Sequence, residues 1–226
     1  MEPDRLHRMP TTLFKAARIA GPGVPMNDLF ATFLATVHRE YFSGFPLWQT
    51  PDGRIAGEYF KIRLGSRFSP VVDALGQPLG RAAELVAVGP DGRTVGESAL
   101  ARLTRVSESP VVLDRFIRCL HLLNHLREPG KHGRLFLPVS SALLERISAQ
   151  HGRVFRQILD SLSQPPGSIA FLLPGALSHS PTLLARLEAN YAAQGFSAYL
   201  PLGQLSGDAL RVKPLSTPAA ETPPRT

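Results

Sequence analysis

The chain has 226 residues, of which 43% are apolar, 19% charged and 8% aromatic, a balance that supports one sizeable core and excludes wholesale disorder or a collagen-like repeat. Its single cysteine, Cys119, excludes a disulfide scaffold and a multi-cysteine zinc site, and makes a reducing cytoplasm the expected compartment. The net charge of +7 comes from Lys and Arg scattered without a run of five, so nucleic acid is not the expected partner.

No apolar run approaches the roughly 18 residues of a membrane-spanning helix. The segment Met1 to Pro10 is not followed by the apolar stretch of a signal peptide either, so no membrane association is expected. In chain order, Met1 to Gly57 reads as an N-terminal helical extension with one helix. Asn27 is placed to cap it, and Leu29, Phe30, Phe33, Leu34, Val37 and Tyr41 recur at helical spacing. Gly44, Pro46 and Pro51-Asp52-Gly53 then break the chain into turns.

From Glu58 to Pro214 short β-prone runs alternate with helical stretches. The predicted strands are Tyr59 to Leu64, Phe68 to Val72, Leu85 to Val88, Leu135 to Val139, Ile169 to Leu173, Ser197 to Leu200 and Leu210 to Val212. A helix over Val112 to Leu126 puts Leu113, Phe116, Ile117, Leu120 and Leu123 on one face. A second, Pro181 to Gln194, has Ser180-Pro181 as its start and Gly195 as its stop. Strands separated by helices imply crossovers and a largely parallel sheet, hence an α/β fold. The segment 215–226, rich in Pro, Thr and Ala, is expected to be a disordered tail.

Several motifs then fall in an ordered series. Arg67-Phe68-Ser69-Pro70-Val71-Val72-Asp73 is followed by Gly80, Ala83-Glu84-Leu85-Val86 and Pro90-Asp91-Gly92. Further on come Val112-Leu113-Asp114-Arg115-Phe116, the run Leu135 to Leu144, Ser168 to Pro174, Gly195 to Pro201 and Leu210-Arg211-Val212-Lys213. From about Phe60 to Pro214 this series resembles the EAL domain, the cyclic di-GMP phosphodiesterase family. The resemblance implies a TIM-like (β/α) barrel, here degenerate or partial.

The same resemblance implies carboxylates and an Asn holding Mg²⁺ or Mn²⁺, hard cations that take oxygen ligands. At the matching positions only Glu84 is a carboxylate. The Asn position is Pro138, the later Glu positions are Phe171 and Pro174, the Asp pair is Leu200-Pro201, and the last Lys and Asp are Arg211 and Lys213. Loss of the family's catalysis is therefore expected, with no metal or other cofactor. The family continues for several more units after the strand that ends here near Lys213, so the expectation is an open barrel. The helix around Asn27 to Tyr41, a second copy of the chain or a partner protein would close it.

For nucleotide binding, Ser69 replaces the family's Gln and Val88 stands near an expected Arg, while Arg211 and Lys213 offer charge to a phosphate. The candidate ligand-binding set is thus Glu84, Ser69, Arg211 and Lys213. Other features read as structural. His121 and His125, four apart, share with Asp114 and Arg118 what reads as a solvated helix face; Cys119 reads as a structural thiol; Ser180 reads as a helix cap rather than part of a nucleophile pair with His179; Gly21-Pro22-Gly23 reads as a linker. The function implied is that of an inactive EAL-like protein working by protein–protein contact in bacterial cyclic di-GMP, motility or biofilm control. Its partner would be a protein or a second copy of itself. A cyclic di-GMP receptor and a residual phosphodiesterase are the alternatives.

Overall fold

The computed structural model describes residues 26–42, 44–96, 110–128, 133–140, 152–203 and 209–215. The segment 216–226 and the turn at Gly21-Pro22-Gly23 lie outside the described residues. Helix α1 (Met26–Phe33) runs on through a π-helical turn, Leu34–His38, and a last turn, Arg39–Tyr41. Asn27 lies inside this helix rather than before it. Strands β1 (Leu47–Gln49), β2 (Ile55–Tyr59), β3 (Ile62–Val72) and β4 (Pro78–Val88) form an antiparallel meander. Strand β2 runs through Gly57, where composition placed the end of the N-terminal extension.

Helix α2 (Pro110–Arg127) then crosses to β5 (Arg134–Pro138), α3 (Arg153–Ser161) precedes β6 (Ile169–Leu172), and α4 (Pro181–Ala192) precedes β7 (Ser197–Pro201). Strands β4 to β7 are mutually parallel, as intervening helices require. Strand β8 (Leu210–Pro214) returns antiparallel to β7 and pairs in parallel with the far end of β3, through Val71–Leu210 and Val72–Arg211. Strands β3 to β8 thereby form a closed ring of six. The expected open barrel is corrected on this point: β8 supplies the closing strand, so no second copy or partner is needed for it, and α1 packs outside the ring. The fold is an α/β, TIM-like partial barrel.

Each strand of the ring sends one buried residue to its interior: Val71, Ala82, Phe136, Ala170, Tyr199 and Val212. A six-strand ring is too narrow for six large side chains, and alanine alternates with the two aromatics, whose rings meet edge to face at 5.0 Å. The Tyr199 hydroxyl accepts a 2.6 Å hydrogen bond from Arg134 Nη1, so its polar end is satisfied. By alternation, Ala83, Ala87, Leu135, Leu137, Ile169, Phe171, Ala198 and Leu200 face outward. They share one core with Phe33 of α1, Phe116 and Leu120 of α2, Phe155 and Ile158 of α3, and Leu187 and Tyr191 of α4.

The runs Tyr59 to Leu64 and Phe68 to Val72 belong to a β2–β3 hairpin and to one long β3. The hairpin's two loop residues, Phe60 and Lys61, have φ of 47° and 60°. Asn-Gly is the favoured pair where both loop residues take positive φ, and each L-residue with a bulky side chain costs about 1 kcal/mol there. Phe60 is 74% exposed, so its ring recovers little by burial. The double change Phe60→Asn, Lys61→Gly is therefore expected to raise Tm by about 4 °C in a thermal melt. An unchanged or lower Tm would show that the turn is not strained.

Candidate functional site

At the C-terminal end of a parallel barrel the inward positions form the mouth where binding groups usually sit. On β4, Glu84 follows Ala82 on the inner side, and on β3 Ser69 and Arg67 precede Val71 on that side. The register sets Arg67 opposite Glu84 and Ser69 opposite Ala82. Glu84 Oε1 accepts a 2.8 Å bond from the Ser69 hydroxyl, and Oε2 accepts from Arg67 Nη2 at 2.6 Å and Nε at 3.0 Å. Burial works to raise the Glu84 carboxyl, but the Arg67 and Ser69 hydrogen bonds and the Arg67 charge outweigh it and hold it below the usual range.

Two of the four sequence candidates, Glu84 and Ser69, are thus brought together. Arg211 and Lys213 are not: Val212 points into the ring, so its neighbours lie on the outer surface of β8, where both are exposed. Arg67 is the member that sequence reading left out of the set, and cross-strand register, 17 residues from Glu84, is what reveals it. Beside this cluster the inner positions of β5, β6 and β7 are Pro138, Leu172 and Pro201. Phe171 and Leu200, matched by sequence to metal ligands, face outward into the core instead.

These residues do not fit a two-metal centre. Among the described inner positions the one carboxylate, Glu84, is occupied by a guanidinium, and prolines and leucine supply no oxygen from their side chains. Among the described residues no three His, Cys, Asp or Glu side chains are grouped to hold a metal ion.

The expected solvated face of α2 is overturned. Arg118, His121 and His125 are buried, as is Asn124 beside them, and Asp114 is nearly so, because β3, β4 and β6 pack where water was expected. Asn124 exchanges a pair of 2.8 Å hydrogen bonds with the Ile55 backbone of β2. Its amide also donates to the Ser66 hydroxyl at 3.3 Å, leaving that hydroxyl to donate to His121 Nδ1 at 2.8 Å. Arg81 of β4 lies 3.3 Å from His125 Nδ1 and pairs with Glu128. Burial likewise pushes the Cys119 thiol up, so it stays protonated. Ser180 precedes α4, but its side chain makes no capping bond; Pro181 in the first turn holds that start.

Burial pushes His121 down to about 3, so the folded ring is neutral where an unfolded one titrates near 6.5. Between those values the unfolded chain takes up a proton that the folded chain refuses, and stability falls as pH drops, by up to about 1.4 kcal/mol per unit. Burial raises the Asp114 carboxyl, which acts in the opposite sense, so the comparison must be with a variant. From pH 6 to 4 the wild type is expected to lose about 2 kcal/mol more than His121→Gln in urea denaturation. Parallel curves would show that His121 takes up its proton in the folded state.

No family model matches the sequence, and no curated protein matches it. Solved EAL domains do match the fold. The EAL domain of FimX from Pseudomonas aeruginosa, bound to cyclic di-GMP, is similar at a TM-score of 0.51 and 15% identity, over 79% of this chain and 64% of that one. A second FimX EAL domain structure gives 0.49 and 20%, over 63% and 58%. A standalone EAL protein of Vibrio cholerae O395, in a cyclic di-GMP-bound form, gives 0.44 and 17%, over 67% and 62%. The chain therefore spans less than two thirds of the length of these neighbours, and the likeness is one of fold. Among the described residues no helix is long and apolar enough to cross a membrane.

Proposed function

We propose that this chain is a non-catalytic EAL-like signalling protein that acts by protein–protein contact, in bacterial cyclic di-GMP, motility or biofilm regulation. The observation that carries this reading is the state of the mouth: Glu84 is bound by Arg67 and Ser69, and the inner positions beside it are apolar. A carboxylate so paired neither gathers divalent cations nor activates water. The second reading is a cyclic di-GMP receptor. Arg67 favours it, because most of its side chain is exposed at the mouth, within reach of an arriving phosphate.

Calorimetric titration with cyclic di-GMP, with and without Mg²⁺ or Mn²⁺, and chromatography of the nucleotide afterwards, separate the readings. The proposal expects intact nucleotide, no binding in the micromolar range, and a stoichiometric protein complex when the chain is isolated gently from its host. Binding tighter than about −8 kcal/mol that is lost in Arg67→Ala establishes the receptor instead. Metal-dependent linear dinucleotide overturns both.

A further inference from the structure

The outer surface of the closing seam is built differently from the rest of the ring. Strands β4 to β7 have outward residues buried under α2, α3 and α4, as parallel strands normally do. The seam between β3 and β8 is also parallel, yet its outward residues are Pro70, Val72, Arg211 and Lys213. Pro70 and both cations are exposed, and Val72 is half-buried.

Two exposed large apolar residues adjoin this strip through the backbone. Leu75, 85% exposed, sits in the turn just after β3, and Leu202, 36% exposed, donates its backbone N–H to the Arg211 carbonyl at 2.8 Å. The nearest acidic residue in sequence, Asp73, is engaged with that turn: its Oδ1 accepts from the Leu75 and Gln77 amides. Among the described residues the outward side chains of the strip carry two positive charges, Arg211 and Lys213, and no negative one, on a chain whose net charge is +7.

We infer that the seam is the docking surface for an acidic amphipathic helix of a partner protein. A helix is what covers the other outward strand faces of this ring, and an apolar stripe laid over Pro70 and Val72 would meet Leu75 and Leu202 at its ends. Glu or Asp along its edge would pair with Arg211 and Lys213, and the matched charges would speed association. Two copies of a basic seam repel, which disfavours self-association through this face. The inference rests on the protein-contact reading above and names its surface.

Site-directed photocrosslinking in the native host tests it, with a benzophenone amino acid placed in the full chain at Lys213 and, separately, at Arg93 on the distant β4 turn. The expected result is a crosslink from position 213, absent from 93, to an acidic amphipathic helix identified by mass spectrometry. A synthetic peptide of that helix should then bind the purified chain, at least tenfold more weakly after Arg211→Glu with Lys213→Glu and more weakly as salt rises. Both side chains are exposed, so the variant's Tm should not move. A protein crosslink from position 93 alone overturns the seam and leaves the protein-contact reading standing. A crosslink of the chain to itself, or binding to phosphatidylglycerol vesicles in place of the peptide, also overturns the seam. No crosslink at either position, with the chain isolated alone, overturns both.

Discussion

Arg118→Ala is expected to destabilise the fold by about 3–5 kcal/mol, measured as ΔG from urea denaturation. Arg118 Nη2 lies 2.7 Å from Asp114 Oδ2 one turn earlier on α2, and both side chains are nearly withdrawn from water. The Arg118 guanidinium also lies 4.8 Å from the centroid of the Phe171 ring of β6, so the pair ties α2 to the barrel wall. Deleting the arginine leaves a buried carboxyl whose charged form burial already disfavours. Asp114→Ala should cost at least as much, since a guanidinium cannot shed its charge. Replacing both, Arg118→Met with Asp114→Leu, should cost far less, because neither ion is then stranded. An exposed helix pair would cost under about 1 kcal/mol, so a loss that small would put α2's polar side back in water.

That contrast shows where sequence reading succeeds and where it stops. Strands β5, β6 and β7 are short apolar runs bounded by turn residues, and α4 lies between Pro181 and a Gly195 whose φ is 79°. Their local pattern and their burial agree. Strand β3 reads as two runs because Gly65-Ser66-Arg67 interrupts its apolar pattern, and those polar residues have polar neighbours: Ser66 faces His121 and Arg67 faces Glu84. Helix α3 is absent from the predicted elements, although Phe155, Ile158, Leu159 and Leu162 carry the spacing of a buried stripe. On α2 the apolar stripe agrees with the structure, while the side opposite it, which the pattern assigns to water, is packed against strands. A helix wedged among strands has no such side, and its polar residues must find partners inside.

The site divides along the same line. Glu84 and Ser69 were legible because a linear motif carries them. Arg67 becomes their partner only through β3–β4 register, and Arg211 and Lys213 turn outward because Val212 turns inward. Closure of the ring was not legible at all. It rests on a two-residue parallel pairing between segments about 140 residues apart in the chain, which no local pattern announces.

That closure makes Gly80→Ala the second large expected effect, a loss of roughly 4 kcal/mol from crowding and backbone strain together. Gly80 enters β4 with φ of +154°, directly opposite Val71 at the seam and Arg134 at the start of β5. A Cβ there would lie 2.0 Å from the Arg134 carbonyl oxygen and 2.6 Å from its nitrogen. Both neighbours are backbone, fixed by strand pairing on either side, so neither can yield as a side chain would. Gly92 separates the two causes: it too has positive φ, +77°, but a Cβ there meets nothing within 4 Å. Gly92→Ala should therefore cost only the conformational part, about 1 kcal/mol. If the two variants unfold at the same urea concentration, the close approach of β4 to β5 does not hold the ring together. If Gly80→Ala falls well below, the narrow ring depends on a contact that glycine alone permits, and Glu84, four residues along the same strand, owes its position at the mouth to it.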